Sequence, residues 1–209
     1  MPHSFDRHPV IPVLILERAE DAIPTAEALL EGGLSVIEIT LRTPHSLEAI
    51  KRIAAKLPEM HVGAGTVLRP TDVTASKNAG AQFLVSPGLT TDLAAAGIAS
   101  GLPYLPGAVT PTEIMAAREF GFSFLKFFPA REFGGPAMLR NYASVFPGIA
   151  FCPTGGIADA EAASAYLALP NVPVVGGTWI APRDAITARD WAGIAARARE
   201  AAALSYKPQ

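Results

Sequence analysis

A lysine, a glutamate and an arginine occupy strand-like segments in which apolar side chains are expected. Lys126 lies in the aromatic run at residues 124–129, and Glu38 and Arg42 lie in the β-branched run at residues 36–42. A lysine amine can attack a ketone and form an imine, and a carboxylate can move protons during the reaction. A guanidinium group can hold the carboxylate of the substrate. The three residue types form the minimal set for imine chemistry on a keto acid.

Alternation along the two strands predicts that these side chains point the same way, into the interior of the fold. Residues two apart share one face of a strand. In the first run, this rule places Glu38, Thr40 and Arg42 on one face and Ile37, Ile39 and Leu41 on the other. In the second run, it places Lys126 on the same face as Phe124 and Phe128. Inward charges need partners, so a purely structural ion pair is the alternative interpretation. Aromatic surroundings and a like charge on Arg42 would favour the neutral amine that attacks a carbonyl.

Eight strand–helix units are needed to position these residues. Candidate strands begin near Val10, Val36, His61, Phe83, Tyr104, Phe124, Ile149 and Val174. Candidate helix starts lie at Asp21, Ser46, Thr71, Thr91, Thr110 and Asp159, residue types that cap helices or open their first turn. Repeated βα units of this length predict an α/β fold, a single (β/α)₈ TIM barrel that covers residues 1–209. A doubly wound open sheet is the competitor, but the first strand runs into Glu17 without a glycine-rich turn.

Composition excludes several classes of function. Half of the 209 residues are hydrophobic, and the net charge is −2 with dispersed Lys and Arg, so we expect neither nucleic acid nor membrane as a partner. The single cysteine, Cys152, fits a cytoplasmic protein without disulfides. His3, His8, His45 and His61 have no metal-ligand spacing, and Cys152, Trp179 and Trp191 are interpreted as packing residues. We therefore expect no metal and no cofactor.

Small-residue turns follow the last two predicted strands. Gly155-Gly156 follows strand seven, and Gly176-Gly177 with Thr178 follows strand eight. Loops at these two positions of a barrel frequently bind phosphate through backbone N–H groups. A turn that merely requires glycine is the alternative.

The chain resembles the 2-keto-3-deoxy-6-phosphogluconate (KDPG) aldolase and 4-hydroxy-2-oxoglutarate aldolase family. The resemblance rests on five ordered segments, EITLRT at 38–43, GAGTVL at 63–68, SPG at 86–88, KFFPA at 126–130 and CPTGGI at 152–157. It implies a homotrimeric class I (Schiff-base) lyase of the Entner–Doudoroff route of carbohydrate metabolism. Such an enzyme cleaves KDPG to pyruvate and glyceraldehyde 3-phosphate, and often cleaves 4-hydroxy-2-oxoglutarate as well.

The resemblance also implies a role for each matching residue. Lys126 would form the imine, Glu38 would be the acid/base and Arg42 would hold the pyruvyl carboxylate. The pyruvate pocket would be lined by Thr66, Pro87, Phe128 and Thr154, and the phosphate would meet Gly155, Gly156, Gly177 and Thr178. The chain departs from the family pattern at Arg131, at Thr178 and at Glu17-Arg18, which leaves the electrostatics of the phosphate side open.

Two alternatives remain at this point. A galactonate-series aldolase shares the fold and the lysine, but its pattern differs at residues 40–42 and 152–154. A trimeric barrel that serves mainly as an assembly component is the non-enzymatic alternative.

Overall fold

The computed structural model of the chain describes residues 8–205. His3 and the two ends of the predicted domain, residues 1–7 and 206–209, lie outside the described residues. The strands are β1 Val10–Leu14, β2 Val36–Thr40, β3 His61–Gly65, β4 Phe83–Val85, β5 Tyr104–Leu105, β6 Phe124–Phe127, β7 Ala150–Pro153 and β8 Val175–Gly177. The helices are α1 Ala22–Glu31, α2 Ser46–Lys56, α3 Pro70–Asn78, α4 Thr91–Ser100, α5 Pro111–Glu119, α6 Gly135–Val145, α7 Ala160–Leu167, α8 Arg183–Thr187 and α9 Trp191–Ala202, with a short 3₁₀ turn at Ala19–Asp21.

The strands form one closed parallel ring. Six of them pair in the order β5-β4-β3-β2-β1-β8, and β6 pairs with β7. The two groups are joined by parallel bridges between Gly107 and Lys126 and between Thr154 and Gly176. The predicted (β/α)₈ barrel is therefore confirmed, and the open sheet is excluded. Within residues 8–205, no helix is long and apolar enough to cross a bilayer.

Two apolar cores lie on either side of the ring of strands. A small core fills the barrel interior and includes Val36, Phe124 and Cys152. The larger core packs the outer face of the strands, including Ile37 and Ile39, against the helices. The predicted alternation along β2 and β6 is confirmed, because residues two apart fall in the same core.

Helix starts agree with the sequence to within one residue in most units and differ most at α3. Thr110 and Asp159 accept hydrogen bonds as N-caps of α5 and α7, and Thr90 caps α4 one residue before the predicted position. Thr71 was expected to start α3, but the helix begins at Pro70 with Asp72 bonded back to the turn. This expectation was wrong because proline, with a fixed φ and no N–H, is favoured in a first helical turn.

Candidate active site

A buried lysine–glutamate pair crosses the interior of the barrel, one or two residues before the carboxyl ends of β6 and β2. Nζ of Lys126 on β6 donates a hydrogen bond to Oε1 of Glu38 on β2 at 3.1 Å. Lys126 is 5% exposed and Glu38 is 2% exposed. β2 and β6 stand opposite each other in the ring of eight strands, so only long inward side chains can meet there. The structure brings together the two residues that the sequence proposed as nucleophile and proton carrier.

Backbone and neighbouring residues fix this pair in place. The amide of Lys126 donates to the carbonyl of Pro106, and its own carbonyl accepts from Ala108. On the other side, a Cβ at Gly65 would overlap the Glu38 carboxylate. Glycine is therefore required at residue 65 to leave room for the Glu38 side chain. This packing explains the second glycine of the GAGTVL segment.

An aromatic ring and a thiol flank the lysine. Nζ of Lys126 lies 5.4 Å from the centre of the Phe128 ring, within the range of a cation–π contact. Cys152 pairs with Lys126 in the register of β6 and β7, and burial raises the pKa of its thiol to about 12. Since a thiol with that pKa stays protonated near neutral pH, Cys152 is a packing residue and not a second nucleophile.

A cavity of about 80 Å³ opens beside Lys126. Its lining includes the predicted residues Arg42, Lys126, Phe128, Thr154, Gly155, Gly156, Gly177 and Thr178. It also includes Gly176, part of the predicted glycine turn, and Val13, Ile15 and Ile157, which the sequence reasoning missed. The signal for two of them was present, because Ile11 faces the barrel interior and alternation carries that face on to Val13 and Ile15.

Arg42 reaches the cavity mouth through a strained turn. Nε of Arg42 donates to Oγ1 of Thr66 at 3.3 Å. Thr66 has φ 56°, a left-handed conformation that is rare for a β-branched residue. Such strain costs on the order of 1–3 kcal/mol and persists where the surroundings enforce it. Thr66 itself does not line the cavity; it contacts Arg42 and is placed to orient the guanidinium.

Pro87 lies next to the site without lining this cavity. A Cβ at Gly107 would overlap the Pro87 carbonyl, and Gly107 pairs with Lys126. The preceding Ser86 hydroxyl lies 2.6 Å from the Tyr104 hydroxyl, and burial raises the Tyr104 pKa to about 12. Both hydroxyls therefore remain neutral and hold the turn after β4, while direct contact of Pro87 with a substrate stays a prediction.

The two glycine turns meet at one side of the cavity. Gly155 and Gly156 have φ 97° and 73°, conformations that side chains other than glycine rarely adopt. Across from them, a Cβ at Gly177 would overlap the ring of Trp179. Backbone conformation and packing therefore explain the glycines at these positions, and all three line the cavity.

Histidine and carboxylate groups do not assemble into a metal site in the described part of the chain. Across residues 8–205, no group of three or more His, Cys, Asp or Glu side chains could hold a metal ion. His61 stacks on Phe83 at 5.1 Å, and His45 is an exposed residue at the start of α2.

Comparison with known proteins identifies the family. The family described as KDPG and KHG aldolase matches residues 3–197. The chain is 45% identical to the 2-dehydro-3-deoxy-phosphogluconate aldolase of Pseudomonas aeruginosa, over 92% of this chain and 87% of that protein. It is also 45% identical to the KHG/KDPG aldolase of Escherichia coli K12, over 92% of this chain and 90% of that protein.

A solved structure agrees with these relatives. The KDPG aldolase of Legionella pneumophila, with pyruvate captured at low pH as a covalent carbinolamine intermediate, superposes with a TM-score of 0.93. Its sequence is 42% identical, and the match covers 95% of this chain and 96% of that one. The chain therefore belongs to the KDPG and KHG aldolase family.

Proposed function

We propose that this protein is a class I aldolase that cleaves KDPG to pyruvate and glyceraldehyde 3-phosphate, and that it also cleaves 4-hydroxy-2-oxoglutarate. The observation that carries the proposal is the buried contact between Lys126 and Glu38 beside a cavity with Arg42 at its mouth. A lysine in this setting is held near a proton acceptor and away from bulk water, which suits imine formation. The relatives named for these two activities support the same substrates.

The chemistry begins with transfer of a proton from Lys126 to Glu38. The neutral amine then attacks the C2 ketone of the substrate to give a carbinolamine. Glu38 returns its proton to the departing hydroxyl, so that water leaves, a protonated imine forms and the Glu38 carboxylate is restored. The protonated imine accepts the electron pair of the C3–C4 bond when Glu38 removes the proton of the C4 hydroxyl. The aldehyde leaves, C3 of the enamine takes a proton back, and water releases pyruvate from Lys126. No metal is needed, because the iminium supplies the electron sink.

Arg42 and Phe128 complete the pyruvate end of the proposed site. The Arg42 guanidinium would hold the substrate carboxylate through charge-assisted hydrogen bonds, with Thr66 fixing its orientation. Phe128 covers the amine and limits its contact with water. Thr154 is buried beside them and contributes a hydroxyl group.

The phosphate end of the proposed site is formed by Gly155, Gly156, Gly177 and Thr178. All four residues line the same cavity as Lys126, and their backbone N–H groups with the Thr178 hydroxyl would donate hydrogen bonds to the phosphate. Glycine replacements are poor tests, because a side chain at residue 177 would strike Trp179. Thr178→Val keeps the shape and removes one hydroxyl, so it should raise KM for KDPG with little effect on 4-hydroxy-2-oxoglutarate. Equal losses for both substrates would argue against a phosphate contact at Thr178.

A homotrimer in the cytoplasm is the assembly and location that we propose. Within residues 8–205 the exposed large apolar side chains fall in five consecutive βα units, the second to the sixth: Leu47, Leu68, Ile98, Met115, Phe133 and Val145. Burial of such residues in an interface is favourable, and the free, buried Cys152 fits a reducing compartment. Sedimentation of the wild type and of a Met115→Glu variant tests the assembly: three chains for the wild type and dissociation of the variant are expected. A monomeric wild type would refute it.

Cleavage assays decide between the proposed function and its alternatives. Pyruvate release is measured from KDPG, from its C4 epimer of the galactonate series and from 4-hydroxy-2-oxoglutarate, with Lys126→Met as the inactive control. We expect the highest kcat/KM for KDPG. A higher kcat/KM for the epimer would support the galactonate-series alternative. If none of the three substrates released pyruvate, the non-enzymatic role as an assembly component would be the remaining interpretation.

A further inference from the structure

A second, wider cavity continues from the phosphate side of the candidate site. It encloses about 390 Å³ and shares Val13, Ile15 and Thr178 with the cavity beside Lys126. Its remaining lining comes from the segment after β8, Ala181, Pro182, Arg183 and Asp184. Because three residues border both spaces, a substrate that extends past Thr178 enters this second cavity.

Arg183 is the cationic side chain that lines this second cavity. The Asp184 carboxylate accepts a hydrogen bond from the amide of Ala185, which holds it against the backbone of α8. The Arg183 guanidinium pairs instead with Glu17, which lies three residues after the end of β1. Both members of this pair are about half exposed, at 60% for Arg183 and 49% for Glu17, so water competes for the contact and the pair is easily exchanged.

Three other cations near the site, Arg18, Lys126 and Arg42, already have partners. Arg18, which borders a neighbouring cavity with Glu17 and Arg183, donates two hydrogen bonds to Asp21 at 2.8 and 2.9 Å. Lys126 and Arg42 serve the opposite, pyruvate end of the site. Arg131 packs its side-chain stem against Gly156 but lines neither cavity. Arg183 is therefore the cation that borders the wider cavity and can turn toward a phosphate at the glycine turns.

We propose that Arg183 exchanges its partner Glu17 for the substrate phosphate and thereby determines the preference for phosphorylated substrates. Glu17 holds the guanidinium at the cavity in the absence of substrate and competes with the phosphate when substrate binds. The inference rests on the proposed aldolase function and adds a residue and its carboxylate competitor to it. Phosphate carries two negative charges near neutral pH, and arginine binds it through two parallel hydrogen bonds.

The test compares two substrates that differ only in the phosphate, KDPG and 2-keto-3-deoxygluconate. The quantity measured is the ratio of their kcat/KM values in wild type, Arg183→Gln and Glu17→Gln. We expect Arg183→Gln to lower the ratio about tenfold, mainly through KM for KDPG. Glu17→Gln should raise the ratio about two- to threefold, because the guanidinium loses its competitor.

Arg199→Gln is the matched control. Arg199 is 58% exposed and pairs with Glu31 at 2.9 Å, and the pair joins the ends of α9 and α1 far from the cavity. This variant removes the same charge and should leave the ratio unchanged. Rising ionic strength should lower the ratio in wild type and not in Arg183→Gln, since salt screens the charge contact.

Outcomes for the inference and for the proposed function are distinct. An unchanged ratio in Arg183→Gln, or a fall as large in the Arg199→Gln control, would overturn the role of Arg183 while cleavage of KDPG by wild type stands. Failure of wild type to cleave KDPG would overturn the proposed function itself.

Discussion

Replacing Glu38 with glutamine keeps the shape of the side chain and removes the negative charge that faces Lys126. Nζ of Lys126 lies 3.1 Å from Oε1 of Glu38, and both side chains are almost completely buried. Water reaches the pair only through the small cavity beside Lys126, so it replaces the lost carboxylate poorly. The variant therefore leaves a buried amine without its counter-charge and the reaction without its proton carrier.

The size of the effect follows from this burial. Removing one partner of a buried ion pair costs about 3–5 kcal/mol. The glutamine amide still offers one hydrogen-bond acceptor to the amine, so we expect the lower end, about 3 kcal/mol. For a domain of this length, that loss lowers the Tm by roughly 6–12 °C. Turnover should fall by about 10² or more, with a much smaller change in KM, because glutamine cannot transfer a proton.

Urea unfolding measures the coupling free energy between Glu38 and Lys126. The four chains compared are wild type, Glu38→Gln, Lys126→Met and the double variant. The double variant should recover most of the lost stability, since neither charge remains to be desolvated. Glu31→Gln, in the exposed pair with Arg199, serves as the control and should unfold like wild type. A Glu38→Gln chain as stable as wild type, or a double variant no better than the sum of the single ones, would refute the buried pair.

Three further results are expected from the geometry of the site. Activity should survive EDTA, and loss that zinc or magnesium restores would contradict metal-free imine chemistry. Gly65→Ala should abolish turnover, because its methyl group would overlap the Glu38 carboxylate; a fully active variant would contradict this packing. Cys152 should resist iodoacetamide in the native protein at pH 8, because burial raises the pKa of its thiol to about 12. Rapid alkylation of the folded chain would contradict its burial. The buried neutral thiol also contributes to the free energy of unfolding below pH 9.0, and this contribution is lost as the pH rises toward about 12.

Features that depend on the alternation of side chains along strands and on the regular spacing of βα units were predictable from the sequence. β1 to β6 begin at the predicted residues, and β7 and β8 begin one residue later. Glu38 and Lys126 face each other because an inward position on a strand is fixed by period two and a closed barrel brings inward side chains together. Neither the strand positions nor the contact between Glu38 and Lys126 depends on the conformation of a loop.

Features that depend on loop paths were not predictable in the same way. The pair between Glu17 and Arg183 joins the segments after β1 and β8, where alternation no longer applies. The same holds for Gly177, whose lack of a side chain is explained by the Trp179 ring folding back over it. Thr66 is a third case, since its left-handed backbone depends on the turn that brings its hydroxyl to Arg42.

Trapping of the imine tests the central claim most directly. The protein is incubated with pyruvate and borohydride, digested, and the modified residue is located by mass spectrometry, with Lys126→Met treated in parallel. The account predicts one reduced pyruvate adduct, on Lys126 alone, and none in the Lys126→Met chain. An adduct on Lys51, Lys56 or Lys77, or no adduct at all, would contradict it.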